Sequence, residues 1–255
     1  MSLLERLAAL AASGERGVLF TIVEGEDRGA KLFVLGNGDA FGNGDTDGEV
    51  PAELAAHAEP LLRRGRNTLI ELSGGRKAFA EVYGPPPKLV IYGAVDTAEA
   101  LCRGAKLLGW TAIVADARAA FLTKERLPSA DVLIAKWPEE AFADVEPDHQ
   151  TAIVVLSHDD KFDVPALRAG LASEAFYLGA LGSRRNQQRR RERLLEAGVS
   201  EEDLERISGP CGLDIGAETQ EETAISILAE ILATRAGRSG GSLREATQRI
   251  HVEAT

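Results

Sequence analysis

The chain has 255 residues, of which 44% are hydrophobic and 27% charged, with a formal net charge of −11 at pH 7. This composition supplies a sizeable core without disulfide or metal staples, and the length suits one large domain or two modest ones. An acidic chain lacks the basic field that bulk nucleic-acid binding requires, and no apolar run approaches the roughly 20 residues of a membrane-spanning helix, so neither nucleic acid nor membrane is an expected partner.

Residues 1–12 read as an amphipathic helix with charge inside it rather than as a signal peptide. The two cysteines, Cys102 and Cys211, make no disulfide framework and fit a reducing cytoplasm. Val18 to Glu24 and Lys31 to Leu35 are rich in β-formers and predict strands. Residues 36–48 are dense in Gly, Asn and Asp and predict a pair of tight turns; their acids lack the spacing of a calcium loop. A helix over 51–64 and strands over 67–72 and 77–83 complete a small α+β domain, residues 1–84. Pro85, Pro86 and Pro87 stiffen the chain and remove three backbone donors, which marks a linker.

Beyond the linker, apolar strands alternate with helices. Strands are predicted at 88–94, 111–115, 130–135, 151–157 and 175–178. Helices are predicted at 96–108, 164–172, about 185–197 and about 219–234, the first capped by Asp96 or Thr97. Near-continuous apolar strands joined by crossovers specify an α/β fold, a Rossmann-like doubly wound parallel sheet over residues 88–236. Residues 237–255, with a GRSGG hinge, read as a polar tail or a partner-docking strand.

Ligands of such sheets sit outside the carboxyl ends of the strands. The first turn, Gly93-Ala94-Val95-Asp96-Thr97-Ala98, keeps one glycine of the G-x-G-x-x-G fingerprint, and Asp96 opposes a phosphate at the helix start. Asp116 stands 23 residues after Gly93, where an acid would hold a ribose hydroxyl, with Arg118 two residues on. Ser157, His158 and Asp159 follow the fourth strand, so His158 is placed to titrate or catalyse. The other histidines sit in helix, loop and tail and take no assigned role. Ser157, His158 and Asp159 are adjacent and no G-x-S-x-G elbow exists, which rules out a hydrolase triad. Two distant cysteines and scattered histidines supply no zinc site.

The densest polar constellation lies between Phe176 and Ala217. Gly179 and Gly182 free backbone N–H groups, Ser183 caps the next helix, and Arg184 and Arg185 can grip a phosphate. Gly209, Pro210, Gly212 and Gly216 then fold a tight turn around Asp214 and Cys211. Cys211 has two readings. Near arginines and helix starts its thiol would have a lowered pKa and could be catalytic; otherwise it is a small packing residue.

Three stretches carry a family resemblance: SHDDKFDVPAL at 157–167, YLGALGSRRN at 177–186 and GPCGLDIGAETQEETAISILAEI at 209–231, with GRSGGSL at 237–243. They resemble the XdhC/CoxI family of accessory proteins for molybdenum hydroxylases such as xanthine dehydrogenase, and this chain reads as a divergent member. The resemblance implies binding of molybdenum cofactor or its nucleotide form, help in its sulfuration with a cysteine desulfurase, delivery to a molybdenum hydroxylase apo-enzyme, and a homodimer. The family's GAGHVG turn is GAVDTA here. Its first N-terminal element is reduced to residues 26–31, and its two N-terminal cysteine positions fall near Gly42-Asn43-Gly44-Asp45 and Ser73-Gly74-Gly75. Both of those thiols are absent. The expectation is therefore a cofactor-binding chaperone rather than a catalyst, with an NAD(P)-linked oxidoreductase or a partner-docking scaffold as alternatives.

Overall fold

A computed structural model describes residues 5–9, 14–42, 51–157 and 159–247. Two compact units emerge, one running to Pro85 and also taking in residues 242–247, the other spanning Pro86–Gly241.

In the first unit, β1 (Gly17–Glu24), β2 (Lys31–Leu35), β3 (Ala40–Gly42), β4 (Thr68–Glu71) and β5 (Lys77–Tyr83) form an antiparallel sheet in the order β3-β2-β1-β5-β4. Successive strand residues point to opposite faces, and the two faces are buried differently. Val18, Phe20 and Ile22 meet Leu54, Ala58 and Leu61 of helix α1 (Ala52–Arg64), whereas Leu19 packs with Phe33 and Phe41. Of the two turns expected over 36–48, the first joins β2 to β3, closed by the Leu35 amide donating to the Asp39 carbonyl at 2.7 Å. Residues 43–50, where the second turn is expected, lie outside the described residues, as does the end of the polar tail, 248–255.

The second unit contains β6 (Lys88–Tyr92), β7 (Thr111–Ala115), β8 (Val132–Ile134), β9 (Thr151–Val155), β10 (Tyr177–Ala180) and β11 (Ile207–Ser208). All pair in parallel, in the order β11-β10-β9-β6-β7-β8, which is the doubly wound Rossmann arrangement. The helices are α2 (Asp96–Leu107), α3 (Pro138–Val145), α4 (Asp160–Leu171), α5 (Arg184–Glu196), α6 (Glu201–Leu204) and α7 (Gln220–Arg235). Leu89, Ile91, Val114 and Val154 face α2 and α7; Val90, Tyr92, Ile153 and Val155 face α3, α4 and α5. Burial on both faces explains why these strands read as unbroken apolar runs.

The sheet has a sixth strand beyond the five read from the sequence, and β11 is only two residues long, too short for a periodic signal. Helix α3 is also additional, although Pro138 opens it and Glu139 and Glu140 follow in its first turn. Helix α4 starts four residues before the expected Val164, because the Asp159 side chain accepts from the Lys161 amide and caps it. At α2 the expected cap is missing: the N-cap residue is Val95, with no side-chain bond. Among the described residues, no helix is long and apolar enough to cross a membrane.

Candidate functional site at the carboxyl edge of the parallel sheet

Register aligns Tyr92 with Ala115 and Val155, and Val155 with Ala180. The residues that follow, Gly93, Asp116, Leu156-Ser157 and Leu181-Gly182, therefore emerge along one edge. Strand order reverses between β6 and β9, which makes their junction the switch point where such folds take ligands.

Gly93 has φ +116°, and a Cβ there would lie 3.0 Å from the Ser157 amide nitrogen. Glycine is required because two strand ends converge. The next amide, Ala94 N–H, donates to Asp116 Oδ2 at 2.9 Å. Asp116 is 2% exposed and also accepts from Arg118 three times: from its backbone amide and Nε at 2.9 Å on Oδ1, and from Nη2 at 2.8 Å on Oδ2. Burial opposes this charge, but the bonds from Arg118 and Ala94 outweigh it and hold the carboxyl below the usual carboxylate range. Arg118 in turn lies over Phe121, 4.6 Å from the ring centroid, and 5.6 Å from that of Phe162. Asp116 thus sits at the strand end expected of a ribose-binding acid, with its oxygens already engaged inside the protein.

Ser157 is buried, and its Oγ accepts from the Asp159 amide at 3.2 Å. Asp159 caps α4. His158 lies outside the described residues.

Gly179 differs from its expected part in an anion cradle. It sits inside β10, paired with Val154 and Ser208, and the Tyr177 ring fills the space a Cβ would need. Gly182, with φ +138°, does form the turn. Ser183 caps α5, its Oγ accepting from the Asn186 amide at 3.3 Å.

Helix α5 carries six arginines, and the structure sorts them. Arg190 is buried against Asp163, with Nη2 at 2.6 Å and Nε at 3.2 Å from Oδ2. It also donates to Gln187 Oε1 and to the Leu181 carbonyl. Arg189 and Arg193 pair with Asp160, and Arg191 with Glu201 and Glu205. Arg184 and Arg185 are exposed and have no hydrogen bond or ion pair among the described residues. The Asp163–Arg190 pair escaped the sequence reading, because an arginine run in an acidic chain reads as a solvated face and one arginine turned inward leaves no separate mark.

The Gly209–Gly216 turn is tied to the same edge. Cys211 N–H donates to the Ala180 carbonyl at 3.1 Å, and Gly212 N–H to Glu230 Oε2 at 2.8 Å. Tyr177 donates to that same Glu230 oxygen. Asp214 is exposed on this turn. Cys211 is 8% exposed and packs in the core under α7. Burial and the Glu230 carboxylate push its thiol up to about 12, opposite to the activated thiol envisaged from sequence. Burial, with Glu99 nearby, does the same to Cys102. Neither thiol should react with a disulfide reagent at pH 8 in the folded protein, and both should react once it is denatured. Rapid labelling of native Cys211 would contradict this burial.

Among the described residues, no group of three His, Cys, Asp or Glu side chains comes together as a metal cage. The donors the edge does present, two uncompensated guanidinium groups beside a glycine turn, suit the phosphate end of an organic anion.

The family profile for the XdhC Rossmann domain matches residues 89–231. Among curated proteins, the "uncharacterized protein YqeB" of Escherichia coli is 35% identical over 71% of this chain and 34% of its own length. A Bacillus subtilis protein named as a probable xanthine dehydrogenase subunit is 33% identical over 62% of this chain and 46% of its own. The molybdenum cofactor insertion chaperone PaoD of E. coli is 31% identical over 62% and 43%. The chain thus spans between a third and a half of the length of these relatives. The solved structure of a xanthine dehydrogenase from Bacillus halodurans shares the fold, with a TM-score of 0.68 at 23% identity over 92% of this chain and 66% of that one.

Proposed function

The chain belongs to the XdhC family, and from that membership we propose that it is an accessory protein that carries molybdenum cofactor, or its nucleotide form, to a molybdenum hydroxylase such as xanthine dehydrogenase. The cofactor is cargo here, an anionic pterin phosphate. The observation that carries the reading is the sorting of charge on α5: four of its arginines are paired within the fold, and Arg184 and Arg185 stand uncompensated beside Gly182 at the ligand edge.

The residues fit the organic, phosphate-bearing end of the cargo better than its metal. Both N-terminal family thiols are missing, and Cys102 and Cys211 are buried with raised pKa. We therefore assign this chain the holding and delivery of cofactor. Sulfuration falls to a cysteine desulfurase partner, acting on a homodimer in the cytoplasm. Engagement of Asp116 by Arg118 and Ala94 argues against NAD(P) as the ligand of the first turn.

The test is anaerobic equilibrium binding of molybdopterin and of its cytosine dinucleotide to purified protein. Charge-assisted hydrogen bonds are each worth about 1.5–3 kcal/mol, less when exposed. The double variant Arg184→Ala/Arg185→Ala should therefore lose about 2 kcal/mol, or about 30-fold in affinity. Absence of binding to the parent protein would sink the proposal.

A further inference from the structure

A groove of about 330 Å³ runs beside α5 in the second unit, a size within the range of small-molecule sites. Arg184, Gln187, Gln188 and Arg191 recur at spacings of three and four residues and line it from one face of the helix. Leu194, Leu204, Ile207 and Pro210 give it an apolar lining. Arg184 and Leu194 are ten residues apart in the sequence, about 15 Å along a helix axis, so the groove is far longer than a phosphate ion.

Its wall is held in place before any ligand arrives. Gln187 Nε2 donates to the Ala180 carbonyl at 3.0 Å, and its Oε1 accepts from Arg190 Nη1 at 2.6 Å. Gly209 makes room for that amide, since a Cβ there would lie 2.5 Å from Gln187 Oε1. The charges of Arg190 and Arg191 are offset by Asp163, Glu201 and Glu205. Arg184 is the lining cation without a partner among the described residues. The groove thus presents one uncompensated cation at an exposed end and the apolar surface of half-buried Ile207 and exposed Pro210, backed by buried Leu194 and Leu204. A bare inorganic ion leaves the apolar surface unused, and a neutral hydrocarbon leaves the guanidinium unused.

We infer that this groove takes the ring-bearing body of an organic phosphate monoester, with the phosphate on Arg184 and the ring against Leu204, Ile207 and Pro210. The inference rests on the reading that the anionic end of the ligand lies at Gly182 to Arg185, and adds where the body goes.

Titration calorimetry at low salt with phenyl phosphate and with inorganic phosphate separates the two. Burying the ring should make phenyl phosphate about tenfold tighter than inorganic phosphate. Arg184→Ala should weaken phenyl phosphate about tenfold, whereas Arg168→Ala, which removes an exposed cation of α4 outside the groove lining, should change it less than about twofold. Gln188 is exposed, and among the described residues its side chain bonds only Glu192, one turn away. Gln188→Phe should therefore fill the groove with an unchanged thermal midpoint, weakening phenyl phosphate about fivefold while leaving inorganic phosphate within about twofold. Equal affinity for both probes, insensitive to Gln188→Phe, overturns the groove and leaves the anion reading standing. If neither probe binds, both fall.

Discussion

Arg190→Ala should destabilise the Pro86–Gly241 unit by about 3–5 kcal/mol, the cost of breaking a buried ion pair from one side. Both side chains are nearly out of water, 6% exposed for Arg190 and 4% for Asp163. Removing Arg190 takes both charged bonds from Asp163 Oδ2 and leaves a buried carboxylate with the Ser157 hydroxyl beside it. The same change frees Gln187 Oε1 and the Leu181 carbonyl, loosening the turn that leads into α5. In wild type, burial pushes the Asp163 carboxyl up, and Arg190 offsets only part of that push. A raised folded pKa means the folded state holds the proton longer than the unfolded chain. Stability from this group is full below the unfolded value, about 3.9, and is lost as pH rises through the folded one. Without Arg190 the upward push grows, so the deficit of the variant should be smallest at acid pH. Urea unfolding of the full chain between pH 4 and 8 measures both effects. A deficit below about 1 kcal/mol at neutral pH would show that the pair contributes little. Pairing Arg190→Met with Asp163→Leu should recover much of the loss, because an apolar pair leaves no stranded charge.

Asp116→Asn should cost about 2 kcal/mol at neutral pH, through the charge-assisted bonds to Arg118 and the lost complement to the Ala94 amide. The cost stays this low because the Arg118 side chain is 44% exposed. Here the pH dependence has the opposite sign to that of Asp163. The Asp116 carboxyl is held below the usual carboxylate range, so its contribution is present above about 3.9 and disappears as pH falls through the lower folded value. Wild type and variant should therefore converge in acid. A difference that stays constant from pH 7 to 3 would mean that Asp116 acts by shape alone. Two buried carboxylates on one sheet edge thus report on their partners in opposite directions, one paired tightly enough to keep its charge and one burdened by it.

The alternation of apolar strands and amphipathic helices after Pro87 specified the parallel sheet, because a strand covered on both faces must be apolar along its whole length. The motifs at 157–167, 177–186 and 209–231 likewise marked the family from residue types alone. Local order was legible where a chemical signal is local: Gly93 and Gly182 at turns, Ser183 as a cap. What the chain could not disclose by itself was partnership across the fold. Arg184, Arg185 and Arg190 are one residue type in one run, yet helical geometry turns Arg190 inward onto Asp163, 27 residues away, and leaves the other two exposed. Asp116 stood at the predicted strand end, but its engagement by Ala94 and Arg118 depends on how the first turn closes over it. Cys211 sat in a glycine turn among polar residues, and only packing beneath α7 decided that its thiol is buried and unactivated. Periodicity and turn chemistry are properties of neighbours along the chain; charge compensation and pKa are set by neighbours in space, which tertiary structure alone supplies.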